Sequence, residues 1–229
     1  MTPAELASRA VAAAQADPEV LPGQWVYRRN AVVAVPEQAD SPVVVERWFT
    51  ADGSTGAAYR QGHLEVGPWA WGVGPDGEGG RGELPAPHIG YGTLSSLPDD
   101  PAELAELLAN TPVPRDDPAY DAGHAFEMIA ELFQIFLMPP AVTTRVFRTL
   151  AVIPGVTAED DASDAAGNPA AGFLLAGAVG GNQEILVSPR TYRFRGYQFL
   201  GDGRDIRSGY GWGIAVLRQE LVPGPGVRP

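Results

Sequence analysis

The amino-acid sequence predicts an α+β fold, a curved antiparallel sheet with helices packed against one face. Three observations lead there. Strand patterning fills residues 23–67, helical patterning fills 100–153, and a strand-rich meander fills 156–222. The glycine-, proline- and acid-rich stretch between the first two reads as a loop rather than a linker, because strands resume after the helices, so 1–229 is taken as one domain. A chain of 229 residues can bury roughly 70% of its unfolded surface.

In chain order, Thr2-Pro3-Ala4-Glu5 has the grammar of a helix start: a hydroxyl cap, a first-turn proline and a carboxylate that reaches back. That helix runs to about residue 16. Residues 24–35 and 43–50 are rich in β-branched and aromatic side chains and read as strands, with a turn at Ala51-Asp52-Gly53-Ser54 and a returning strand over 57–60. Asp100-Pro101-Ala102-Glu103 repeats the helix-start grammar, with Leu104, Leu107 and Leu108 on one face. Over 121–138, Phe126, Ile129, Ala130, Phe133, Phe136 and Leu137 make a broad apolar stripe. Pro139-Pro140 ends that helix and opens another, which buries Val142, Val146, Phe147 and Leu150. In the meander, residues 173–179 and 183–187 flank a hairpin turn at Gly180-Gly181-Asn182. A second turn falls at Ser188-Pro189-Arg190-Thr191. The strand over 191–200 alternates Tyr192 and Phe194 with arginines, then shifts phase at Gly196, which predicts a bulge. The last strand covers 213–222.

The net charge is −12, and every basic residue is arginine. Such an acidic balance disfavours nucleic acid and anionic lipid headgroups as partners. With no cysteine, disulfides, thiolate nucleophiles and cysteine-ligated metals are excluded. The start of the chain lacks a signal-peptide pattern, and the apolar run at 128–138 falls well short of the ~20 residues a membrane span needs.

Candidate chemistry is sparse. His63, His88 and His124 are scattered without metal-site spacing, and no nucleophile motif is present. Glu159, Asp160, Asp161 and Asp164 form the densest carboxylate cluster, but the EF-hand ligand order is not met, and the segment reads as a solvated strand end and hairpin loop. Gly209-Tyr210-Gly211-Trp212-Gly213 opens no helix, so it reads as a strand kink and not a dinucleotide fingerprint. Trp69 and Trp71 straddle Ala70 in a glycine-rich segment, where they form the lip of a pocket or a partner surface, or fold back as a lid on the core. The residues therefore point to no catalytic site, no metal and no cofactor.

Several motifs carry a family resemblance. They are Pro22-Gly23-Gln24-Trp25-Val26-Tyr27, Tyr91-Gly92-Thr93-Leu94-Ser95-Ser96-Leu97-Pro98 and Ala125-Phe126-Glu127-Met128-Ile129. They continue through Pro139-Pro140, Arg148-Thr149-Leu150-Ala151-Val152-Ile153-Pro154-Gly155-Val156 and Glu184-Ile185-Leu186-Val187-Ser188-Pro189-Arg190-Thr191-Tyr192. In these the chain resembles actinobacterial membrane-anchored proteins, largely without assigned function, often encoded beside extracytoplasmic-function sigma factors. The resemblance implies an extracytoplasmic, membrane-anchored full-length protein, of which this chain is the excised outer domain or a variant without the anchor. The layout is also similar to the lipoprotein-carrier fold of LolA and RseB, a half-barrel with helices on its concave face, by analogy of architecture alone. The expectation is a non-enzymatic binding or sensing domain for a hydrophobic or lipid-like ligand. Trp69, Trp71, Phe133 and Phe136 would lie near the mouth of a groove beside the helix at 121–138. The alternative is a protein-interaction module that meets an envelope or sigma-regulatory partner. No nucleic acid is expected, and contact with a membrane only through an anchor absent from this chain.

Overall fold

A computed structural model describes residues 1–34, 40–60, 62–67, 89–111, 118–178, 181–201, 203 and 211–229. Its nine strands are β1 (Trp25–Val33), β2 (Val43–Thr50), β3 (Gly56–Arg60), β4 (His63–Gly67), β5 (Val156–Ser163), β6 (Pro169–Ala178), β7 (Gly181–Val187), β8 (Phe194–Gly201) and β9 (Trp212–Val222). They form one antiparallel sheet in the order β4-β3-β2-β1-β9-β8-β7-β6-β5, curved but not closed into a barrel. Two meanders thus meet at a single seam, where β1 pairs antiparallel with β9. The chain leaves the first meander at one edge of the sheet and enters the second at the other. The connection must therefore cross a face of the sheet, and it carries the helices with it.

Those helices are α2 (Pro101–Ala109), α3 (Pro118–Ile135) and α4 (Pro140–Leu150), preceded by a 3-10 turn over Tyr91–Ser96, while α1 (Pro3–Gln15) precedes the sheet. The caps of α1 and α2 fall where the sequence predicts them. Thr2 Oγ1 accepts from the Glu5 amide at 3.2 Å, and Glu5 Oε2 accepts from the Thr2 amide at 2.7 Å. Asp100 accepts from the amides of Ala102 and Glu103. The short 3-10 turn is held from α4. Arg145 donates to the carbonyl of Leu97 at 2.9 Å and more loosely to those of Leu94 and Ser95, which supplies the acceptor groups of the turn with a charged donor.

One large apolar core fills the concave side between the helices and β6, β7 and β8. A chain of rings runs through it. Phe194 stacks on Phe133 with centroids 4.7 Å apart, Phe133 meets Phe147 at 5.0 Å, and Phe147 meets Phe173 at 6.3 Å. Two helices and two strands are joined by these contacts, each worth about 0.5–1.5 kcal/mol beyond its buried area. On the outer face Tyr27, Trp48 and Ala57 form a smaller cluster. The C-terminal tail closes it: Trp48 Nε1 donates to the Val227 carbonyl at 2.6 Å, and Arg228 pairs with Glu46.

Four local details differ from the sequence reading. Residues 63–67 form an edge strand not expected from the sequence, with His63 directly after the turn at Gly62. Leu107 turns outward at 42% exposure, because α2 buries only Leu104, Leu108 and Ala109. Tyr192 belongs to the turn before β8. Its backbone is left-handed at φ 55°, its amide donates back to the Ser188 carbonyl, and its ring lies beneath Arg9. Helix α3 starts and ends three residues earlier than the apolar stripe indicates. The phase shift near Gly196 is present as a bulge: Phe194 pairs with Val187 and Gly196 with Leu186, so that Arg195 is the extra residue.

Candidate ligand-binding site

The site is built on a row of polar side chains across the sheet. Register pairs Arg28 of β1 with Arg47 of β2 on one side and with Gln219 of β9 on the other. Alternation places Arg28 on the same face as Val26, and Arg47 on that of Phe49, which is the face toward the end of α3. Both guanidinium groups converge on one acceptor. The Gln134 carbonyl accepts from Arg28 Nη1 at 2.8 Å and from Arg47 Nη2 at 3.1 Å. It belongs to the last turn of α3, where carbonyls lack intrahelical donors and the helix dipole is negative. Arg28 Nε donates to Gln219 Oε1 at 2.6 Å. The Phe49 ring lies 4.7 Å from the Arg28 guanidinium carbon and 5.7 Å from that of Arg47.

Arg28 is only 2% exposed. Its support consists of two amide oxygens and an aromatic face, all uncharged; no carboxylate pairs with it among the described residues. Burial alone lowers its pKa, to about 9, so it remains charged at neutral pH. The Arg47 guanidinium is held well below the ordinary value by burial first and by the charge of Arg28 second.

Above Arg28 lies a cavity of about 90 Å³ where α1, the end of α3, α4 and the start of β8 come together. Its apolar wall includes Ala10, Ala14, Phe133, Phe136, Phe147 and Phe194. Its polar groups are Arg28 and Gln219 at the floor, Thr143, and an Asp17–Arg193 pair at the solvent side. Since Asp17 and Arg193 neutralise each other, the cavity carries the net positive charge of Arg28. Phe133 and Phe136, expected at the mouth of a groove, lie in its wall at 5% and 2% exposure. Trp69, Trp71 and His88 lie outside the described residues.

Arg28, Gln219 and Phe194 are not among the site residues that the sequence nominates. A signal was available: Arg28 and Arg47 share the phase of Val26 and Phe49, and arginine on the apolar phase of a strand is unusual. Which phase the helices cover was not legible.

A wider surface groove of about 480 Å³ runs between α1 and β5, lined in part by Met1, Glu5, Arg9, Asp160 and Tyr192. Its polar groups satisfy one another, through the Met1 amino group on Asp160 at 2.9 Å and Arg9 on Tyr192 at 2.5 Å. It therefore offers a ligand little.

The remaining candidates resolve as follows. Asp164 is buried and caps its own turn, accepting from the amides of Ala166 and Asn168 and from Arg195 Nε at 2.7 Å. Among the described residues no group of three or more acidic or histidine side chains is placed to hold a metal. His124 contacts the Thr111 carbonyl and lies 3.9 Å from Glu127, which Gln183 connects to Tyr197. On the face away from the helices, Glu184 is 2% exposed and faces Glu159. Burial first, opposed by a hydrogen bond from Gln198 and reinforced by Glu159, pushes its carboxyl up to about 7. No protein-family model, curated protein or solved structure matches the chain. Among the described residues no helix is long and apolar enough to cross a membrane.

Proposed function

We propose that the protein is a non-enzymatic binding or sensing domain for an apolar, lipid-like ligand, working outside the cytoplasmic membrane as part of a membrane-anchored protein. The observation that carries this reading is the aromatic cavity between the curved sheet and the end of α3, floored by a buried arginine that no carboxylate among the described residues neutralises. Ligand pockets combine apolar walls with a few fixed polar groups, which is the composition found there. None of its lining residues forms a nucleophile–base pair: Thr143 Oγ1 donates to the Pro139 carbonyl at 3.2 Å, and Asp17 is held by Arg193. At about 90 Å³ the cavity is smaller than the ~300–1,000 Å³ of pockets for drug-sized ligands. It takes a short apolar segment as it stands, and a longer one only if the rings at the end of α3 move aside.

The uncharged probe N-phenyl-1-naphthylamine tests this reading. Its fluorescence should rise saturably with the protein and lose that response in Ala14→Leu, which fills the cavity from α1. Absence of saturable binding, or binding indifferent to the substitution in a folded variant, would sink it. A second reading, a module that meets an envelope or sigma-regulatory protein, draws on Val44, Tyr59 and Val66, which are 48%, 45% and 52% exposed on β2, β3 and β4. A stoichiometric protein partner released by charge substitutions at Val44 and Val66, with no effect of Ala14→Leu, would favour it.

A further inference from the structure

We infer that the cavity selects an amphipathic anion, an aliphatic carboxylate whose head pairs with Arg28 and whose chain lies among Phe133, Phe147 and Phe194. This rests on the cavity being a ligand site and adds the chemical class of the ligand. The geometry supplies the reasons. A guanidinium removed from water costs several kcal/mol unless it is paired. Arg28 has only neutral partners, at Nε and Nη1, while its Nη2 donates to no acceptor among the described residues. It lines the cavity, so part of the donor fork is presented to whatever enters. The guanidinium fork matches a carboxylate, which accepts two parallel N–H groups.

The surroundings favour the same sign of charge. Arg47 directs a second guanidinium to the same carbonyl from the neighbouring strand. The other charged pair at the cavity, Asp17 with Arg193, is internally neutral and lies toward solvent. Beyond the floor the walls are apolar, which strengthens an ion pair formed at Arg28 and offers an aliphatic tail its contacts. A cation would meet repulsion at the same place, and a neutral alcohol would gain the walls but not the pair.

The wild-type protein decides the matter without a mutation. Octanoate, octanol and octylammonium share a chain and differ in head charge, so each is titrated at neutral pH as a competitor of N-phenyl-1-naphthylamine. Octanoate is expected to bind about 10- to 100-fold more tightly than octanol, the range a charge-assisted hydrogen bond provides, with octylammonium weakest. Arg28→Gln should bring octanoate down to the level of octanol and leave octanol little changed. Arg28→Lys, which keeps the charge but loses the fork, should retain an intermediate preference. If octanol matches octanoate, or octylammonium equals it, the inference is overturned while the cavity remains a ligand site. If neither the probe nor any of the three binds, the site itself fails and the inference with it.

Discussion

Glu184 is the residue at which burial and charge compete most openly. Its carboxyl has an ordinary value of 4.5 and is raised to about 7 in the fold, by burial first and then by Glu159, so the native state holds a proton that the unfolded chain gives up. The consequence is a stability that is complete below pH 4.5, falls as the pH rises toward 7, and levels off above it. The loss is on the order of 3 kcal/mol. Glu184→Gln should flatten this slope and raise the urea midpoint at pH 8 relative to the parent; an unchanged difference between pH 5 and pH 8 would refute the assignment. Glu46 acts in the opposite direction: the hydrogen bond from Arg228 lowers its pKa, so its contribution is lost only at more acidic pH. Gly196 is constrained by space and not by charge. A Cβ there would meet the Ile214 carbonyl oxygen at 2.2 Å, backbone against backbone across the β8–β9 pairing. Gly196→Ala should therefore cost at least the ~1–3 kcal/mol of ordinary overpacking, measured as a fall in the denaturation midpoint.

Among the elements, the join between α4 and the 3-10 turn is the most readily tested. Arg145 reaches the carbonyls at the end of that turn and also lies 2.9 Å from Asp99. Asp99 is 93% exposed, so the ion pair contributes little. The contacts to the Leu94 and Leu97 carbonyls are partly buried, and hydrogen bonds to a charged donor are worth about 1.5–3 kcal/mol. Arg145→Ala should accordingly destabilise by about that amount, while Asp99→Ala falls within about 0.5 kcal/mol of the parent; equal effects would show that the ion pair is what matters. Helix α1 was legible as far as its cap, since Thr2, Pro3 and Glu5 act within one turn. Its packing partner α4 was not, because the matching apolar face lies well over a hundred residues later. The fault at Tyr192 has a similar origin. Alternating aromatics look the same in a strand and in a turn, and only the Ser188 carbonyl and Arg9 decide between them.

For the molecule as a whole, the seam between β1 and β9 makes one sheet of two meanders, and the C-terminal tail locks its outer side. Trp48 is 1% exposed beneath that tail and is bonded to Val227. Deleting residues 224–229 should shift tryptophan emission to the red and lower the melting temperature; an unchanged spectrum would mean that the tail covers nothing that matters. The same global arrangement creates the ligand site, since the floor comes from β1 and β9, the walls from α1, α3 and α4, and one ring from the start of β8.

By itself the sequence determined most of the secondary elements and their order, though not β4, β5 or the 3-10 turn, because caps, proline stops, amphipathic stripes and strand alternation act over a few residues. It also determined the α+β class, and it nominated Phe133 and Phe136. Tertiary structure alone decided which strands are neighbours, which sheet face the helices cover, and that Arg28 lies beneath those rings. The physical reason is separation along the chain. The Arg28–Gln219 contact closes across 191 residues, and a cavity assembled from such contacts leaves no periodicity in the sequence to be read.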